Sequence, residues 1–295
     1  MDADVSTRWK STLFLVVVSG LLFFFNLGVP GLWDEDEPRN ATCAREMLER
    51  SDLIVPTFNG ELRTAKPVLL YWLIISAYTL FGVNEFSARF WSALLATGTV
   101  LLTSHLGRKL YSPRVGLWSG LLLASGLMFV VAARACTPDA VLVFFITAAL
   151  TLIATTWAER RNSPLGLSSP PAFDGAPRLS TFTAILFYCA IGLAILGKGP
   201  VGIVLPVAIL GCYLLVSSMG RDFSRNRSLI FALRNSLLSG NWYLRQFKSL
   251  RIEIGVPLLC LIVAPWYIAV AWQTDGAWVH QFLGAENVGR FLKPM

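Results

Sequence analysis

The chain has 295 residues, of which 55% are hydrophobic and only 15% charged, and its mean hydropathy is +0.59. A soluble domain carries roughly 25% charged residues, so this composition excludes a water-soluble globule and predicts an integral membrane protein; it equally excludes disorder and a small disulfide scaffold. The formal net charge of +7 fits Lys and Arg concentrated on cytoplasmic loops better than it fits a nucleic-acid binder.

Arg8 and Lys10 precede an apolar run from Leu13 to Phe25. The run ends in Asn26-Leu27-Gly28-Val29-Pro30 and not in a small-residue cleavage site, so it predicts an uncleaved signal anchor. Further apolar stretches lie at 68–82, 87–106, 115–133, 138–157, 182–197, 200–217 and 254–273. A span needs roughly 17 to 25 residues, which makes 68–82 the short one. If 68–82 lies along the outer surface, seven spans remain, and the N-terminus, 107–114, 158–181 and 218–253 face the cytoplasm. Those segments hold 15 Lys/Arg against 6 Asp/Glu, leaving 10 Lys/Arg and 12 Asp/Glu outside. Counting 68–82 as a span would turn Arg221 to Arg251 outward, against the positive-inside preference.

The expected fold is therefore an all-α, multi-pass bundle of about seven spans forming one domain over 1–295. Its outer first loop, 28–86, is long enough to carry juxtamembrane helices. The Pro-, Gly- and Ser-rich segment 160–177 reads as a cytoplasmic linker, and 221–251 as a basic loop beside anionic headgroups. Cys43, Cys136, Cys189, Cys212 and Cys260 form no CxxC or metal-type spacing, and His105 and His280 are isolated. A zinc cluster or a Cys/His nucleophile pair is not expected.

In this topology the notable polar residues gather on the outer face. The first loop opens with Asp34-Glu35-Asp36-Glu37-Pro38-Arg39. Pro38 suits the first turn of a helix and Asp36 its cap, predicting a surface helix over 37–50. The acids then serve either the helix dipole or a polar site. Further along the loop come Lys66-Pro67 and Tyr71-Trp72, where Lys66 either snorkels from an interfacial helix or meets an anionic headgroup. Thr137-Pro138-Asp139 is an ordinary helix start that parity places on the same face as Asp36. Gly197-Lys198-Gly199-Pro200 is a tight outer hairpin whose glycines either make the turn or admit a phosphate. Pro265-Trp266-Tyr267 lies late in the last span, and Glu286-Asn287 with Arg290-Phe291 come after it, outside.

The ordered set Asp36-Glu37-Pro38-Arg39, Arg45-Glu46-Met47-Leu48, Asn59-Gly60, Lys66-Pro67, Tyr71-Trp72, Arg134 with Asp139, Gly197-Lys198-Gly199-Pro200-Val201, Pro265-Trp266-Tyr267 and Glu286-Asn287 with Arg290-Phe291 resembles the multi-pass GT-C glycosyltransferases. Within them it is most similar to the lipid A aminoarabinose transferases and the protein mannosyltransferase-like enzymes. The resemblance implies transfer of a sugar from a polyprenyl-phosphate carrier to a lipid or protein acceptor, on the periplasmic face of the cell inner membrane. It implies Asp36 as the catalytic aspartate, Arg39, Lys66 and Lys198 as donor-phosphate contacts, and Glu37, Asp139, Glu286 and Arg290 as polar residues of the same cavity. It implies membrane lipids, and no nucleic acid, as surroundings.

The residue chemistry fits those roles. Phosphate is already a good leaving group, so departure of the carrier calls for cations around the developing charge, and the acceptor hydroxyl calls for one carboxylate base. No cofactor is expected. Ala65 stands where some aminoarabinose transferases have Glu, and 286–290 lacks His, so a divalent metal held by such a pair is not expected either. Family members generally continue beyond the Arg290-Phe291 motif, which makes this chain an expected amino-terminal part of a longer enzyme. The rival readings are an inactive fragment and a lipid or sugar transporter, the latter because charges at helix ends also mark translocation routes.

Overall fold

The structure is a computed structural model and describes residues 2–33, 35–161, 178–226 and 240–289. In chain order it contains α1 (Asp2–Phe24), α2 (Asp36–Glu49), a hairpin of β1 (Thr57–Phe58) and β2 (Glu61–Leu62), α3 (Leu69–Phe81), α4 (Glu85–Leu110), α5 (Pro113–Ser125) and α6 (Leu127–Ala133). Then come α7 (Pro138–Arg161), α8 (Thr181–Lys198), α9 (Val201–Asn226), α10 (Gly240–Ser249), α11 (Ile252–Gln273), α12 (Ala277–His280) and a π-helical stretch, Gln281–Gly289. The expectation of an all-α chain thus has a small exception. Asn59 and Gly60 both take positive φ, 53° and 79°, the geometry a two-residue hairpin turn requires.

Short polar residues start several helices. The Asn84 side chain accepts from the Ser87 amide at 2.9 Å, Ser112 caps α5 ahead of Pro113, and Ser180 accepts from the Thr183 amide at 3.0 Å. Three described helices are long and apolar enough to cross a membrane: Pro138–Ala158, Thr181–Lys198 and Ile252–Gln273. The expected single span at 115–133 is instead broken at Gly126 into α5 and α6, which meet at 69°. Gly126 takes an extended backbone there, and Arg134 at the end of α6 donates to the carbonyls of Leu22 at 3.0 Å and Phe25 at 2.9 Å. Arg134 therefore satisfies the open carbonyls at the C-terminus of α1, which the helix itself cannot pair.

α3 has 13 residues, fewer than a span needs. It is also far from superficial: Tyr71, Ile74 and Ala77 are almost fully buried, and the Tyr78 hydroxyl donates to the Ala41 carbonyl at 3.3 Å. It forms the floor on which α2 rests. Small residues set the spacing elsewhere, as at Gly116, where an added Cβ would lie 2.6 Å from the Ser104 carbonyl of α4. Large apolar side chains point outward, among them Leu21, Leu261 and Trp272. A bundle surrounded by lipid tails has this pattern.

The two ends of the bundle have different contents. At one, the Leu179 amide donates to Ser249 at 2.9 Å, the Arg251 side chain to Leu179 at 2.7 Å, and Arg178 pairs with Glu253 at 3.0 Å. This joins the start of α8 to the start of α11. At the other end lie the first loop, residues 134–139, the α8–α9 turn and the end of α11.

Candidate functional site

The site grows from α2. Helical geometry turns successive residues by about 100°, so Asp36 and Glu37, adjacent acids in the first turn, point different ways. Asp36 is exposed, whereas Glu37 is 2% exposed. One Glu37 oxygen accepts from Arg89 Nε at 2.9 Å and the Cys136 amide at 2.6 Å; the other accepts from Arg89 Nη2 at 2.7 Å and the Trp33 amide at 3.1 Å. Arg89, itself buried on α4, also donates to the carbonyls of Leu27 at 3.0 Å, Pro30 at 2.7 Å and Gly31 at 2.9 Å. Every N–H of the guanidinium and every lone-pair direction of the carboxylate is used.

This pair ties together the chain entering α2, the second turn of α4 and the segment before α7. Asn40, one turn further along α2, adds a second tie to the same segment by donating to the Cys136 carbonyl at 3.0 Å. Burial raises the Glu37 carboxyl, but Arg89 and the Cys136 and Trp33 amides outweigh it and hold it below its ordinary value of 4.5. Burial also pushes the Cys43 thiol up to about 12, so this cysteine is no nucleophile at neutral pH.

The capping expectation needs correction. α2 begins at Asp36 and not after it, its N-cap is Glu35, and no side chain caps it there. The Glu37 carboxylate has taken the Trp33 amide instead, which leaves Asp36 free of a capping duty. Arg39 lies on the exposed face of α2, 2.9 Å from Glu35. Exposed pairs of this kind are worth little, so Arg39 can exchange Glu35 for another anion at small cost.

The rest of the first loop is held by one carboxylate and three indoles. Glu46 accepts from the Thr57 hydroxyl and the Asn59 amide, each at 2.6 Å, anchoring the hairpin to α2. Trp72 donates to Leu53 at 2.8 Å, Trp266 to Ile54 at 3.0 Å and Trp278 to Arg63 at 2.9 Å. Arg63 in turn donates to Asn40 at 3.1 Å and Tyr71 at 3.2 Å. Pro265-Trp266-Tyr267 and the segment after α11 are thus folded against the first loop.

Lys198, the last residue of α8, forms an ion pair with Asp139 in the first turn of α7. Gly199, with φ of 78°, closes α8 and turns the chain into α9, and the Phe282 ring sits 2.5 Å from where a Cβ would be. The turn and the ring contact account for Gly199. Gly197 lies against Val141 and Leu69, so the α8–α9 turn also meets the start of α3, three residues after Lys66. Lys66 is half-buried there.

Asp36, Arg39, Lys66, Asp139, Lys198 and Glu286 therefore all belong to the end of the bundle organised by Glu37 and Arg89. Glu286 is in the π-helical stretch after Phe282, and Arg290 lies outside the described residues. Arg89, Asn40 and Arg63 do not stand out in the sequence as site residues. Arg89 carries the one available signal, a charge within the apolar stretch 87–106.

A helical membrane bundle with acids and cations gathered at one end has the GT-C architecture. The chain belongs to the dolichyl-phosphate-mannose-protein mannosyltransferase family, whose sequence profile matches residues 9–280. It is 29% identical over 292 residues to undecaprenyl phosphate-alpha-4-amino-4-deoxy-L-arabinose arabinosyl transferase 1 of Pseudomonas fluorescens, covering 97% of this chain and 45% of that protein. Its fold is similar to that of ArnT from Cupriavidus metallidurans in the apo state, with TM-score 0.72 and 25% identity over 96% of this chain and 45% of that one. An oligosaccharyltransferase from Archaeoglobus fulgidus shares the fold more distantly, with TM-score 0.55 and 14% identity over 98% of this chain and 37% of that one. The chain spans about half the length of the curated relatives it matches.

Proposed function

We propose that this chain is the membrane-embedded donor-binding part of a glycosyltransferase that moves a sugar from a polyprenyl-phosphate carrier to a lipid or protein acceptor. The observation that carries the reading is the arrangement of charges at one end of the bundle: an exposed Asp36 beside a buried Glu37–Arg89 anchor, with the Lys198–Asp139 pair on the adjoining helix ends. The names of relatives agree, including a second structure of the Cupriavidus protein described as bound to undecaprenyl phosphate.

In this reading Arg39, Lys66 and Lys198 hold the carrier phosphate and stabilise the charge that grows on it as the sugar–phosphate bond breaks. Asp139 aims the Lys198 ammonium. Asp36 takes the proton of the acceptor hydroxyl as it attacks the anomeric carbon, and the polyprenyl phosphate departs from the opposite face. Glu37 keeps Asp36 in place without touching the reactants, a role different from the cavity-lining one expected from sequence. Glu286 and Arg290 complete the polar surround.

Replacing Arg39, Lys66 or Lys198 singly by Ala is expected to weaken binding of a labelled polyprenyl phosphate by about 1.5 to 3 kcal/mol, the usual size for a hydrogen bond to a charged group. Direct titration of the purified variants measures it. Near-wild-type affinity in all three would remove the donor-site assignment.

We further propose seven spans, with α1, α4, the α5–α6 pair and α9 joining the three long apolar helices, and the Asp36 end facing the periplasm of the cell inner membrane. In a background stripped of native cysteines, Glu61→Cys is expected to react with an impermeant maleimide on intact spheroplasts and Tyr111→Cys only after permeabilisation. Both positions are exposed. The reverse pattern would overturn the orientation.

A further inference from the structure

A cavity of about 950 Å³ opens between α1, α4, α7 and α8, away from the Asp36 site. Its α4 wall runs from Gly98 through Leu102 and His105 to Arg108 and Lys109, and its α7 wall from Phe144 to Thr155. Both sets recur at three- and four-residue spacing, so each helix gives the cavity one continuous face. Arg108 lies about 28 Å beyond Arg89 along α4 at 1.5 Å per residue, close to the thickness of a hydrocarbon core. With Arg89 at one interface, Arg108 and Lys109 reach the opposite one.

The polar groups are confined to that far end. His105, Arg108 and Lys109 stand at the mouth, and none of the described lining residues is acidic. Deeper walls are apolar, with one exception. Thr151 is 5% exposed, lines the cavity, and its Oγ1 has no hydrogen-bond partner among the described residues. A buried hydroxyl left unpaired is costly, and a turn about χ1 would carry it from the wall to a polar ligand atom at that depth. Cations at the membrane surface, a hydroxyl just inside and an apolar trough beyond match the order of groups in a phospholipid: phosphate, ester, acyl chain.

We propose that this groove binds one anionic glycerophospholipid of the leaflet opposite the Asp36 site. Its phosphate lies between Arg108 and Lys109, an ester carbonyl accepts from Thr151, and an acyl chain runs along Leu102, Ala148 and Phe144. This binding is separate from that of the sugar donor, and needs neither Asp36 nor Lys198.

Native mass spectrometry of the detergent-purified chain, titrated with phosphatidylglycerol and separately with phosphatidylcholine, tests it. One phosphatidylglycerol is expected to be retained preferentially. Arg108→Gln with Lys109→Gln should weaken that retention about 25-fold, roughly fivefold for each cation at a membrane surface, and leave phosphatidylcholine unchanged. Ala148→Leu, which fills the trough and keeps the charges, should weaken it as strongly. Full retention by Ala148→Leu would mean surface attraction only and would overturn the groove assignment. Equal retention of the two lipids by the wild-type chain, as for a groove that another protein helix covers, would overturn it too. Because a filled core can unfold, a wild-type readout accompanies the variants: phosphatidylglycerol with a diazirine in its acyl chain should cross-link to 98–109 and 144–155. Adducts spread evenly over the lipid-facing helices would reject the site.

Discussion

Asp36→Asn is expected to lower the rate of sugar transfer by roughly 10²-fold or more, the lower end of general-base contributions, and to leave expression and donor binding close to wild type. Asparagine keeps the size of the side chain and removes its charge. A capping role is removed more directly by the structure, because Asp36 is exposed and the described cap of α2 does not depend on it. Glu35→Gln is the control, since it takes away an exposed acid from the same end of the helix, one that pairs with Arg39 on the surface. Single-turnover transfer in membranes carrying each variant distinguishes the two acids. Equal, mild losses would show that both merely complement the helix dipole.

Glu37→Gln is expected to do the opposite: a large loss of folded protein, about 3 to 5 kcal/mol, because it leaves the Arg89 guanidinium buried without its counter-charge. Arg89→Leu should be equally severe. Replacing a buried ion pair by apolar residues is often harmless, but not in this setting. The pair also serves the amides of Trp33 and Cys136 and the carbonyls of Leu27, Pro30 and Gly31. A Glu37→Leu/Arg89→Leu double variant would strand all of these, so it should remain destabilised. A double variant that melts like wild type would refute this account of the anchor.

The same carboxylate sets an acid limit. Glu37 is held below its ordinary pKa of 4.5 in the folded state, so the unfolded chain takes up the proton first as pH falls. The stability it contributes is complete above about 4.5 and is lost progressively as pH drops toward the lower folded value. Glu46 is shifted in the same direction, since burial raises it less than Thr57, Gly60 and Asn59 lower it. Melting temperature is therefore expected to be flat in pH near neutrality with respect to these groups and to fall only under acid conditions. In a Glu37→Gln background the acid dependence should shrink; an unchanged profile would assign it to other carboxylates.

Much of the design is local and therefore readable from the chain. Apolar runs and the Lys/Arg distribution mark a membrane protein, because hydration of charge and burial of apolar surface act on each residue wherever it sits. Pro38 and Pro138 near helix starts and the short length of 69–81 are also local, and the helices lie where those residues imply. The break at Gly126 is not readable, since 115–133 is apolar throughout and the bend involves Arg134 docking on the end of α1, more than a hundred residues away. Nor do neighbouring acids announce their roles: Asp36 and Glu37 differ by one methylene in sequence. Only the packing of α2 on α3, which brings its first turn to Arg89 of α4 and to the segment before α7, turns Glu37 inward and leaves Asp36 facing out, because a helix rotates adjacent side chains apart and a buried carboxylate survives only where cations and amides from distant segments meet it.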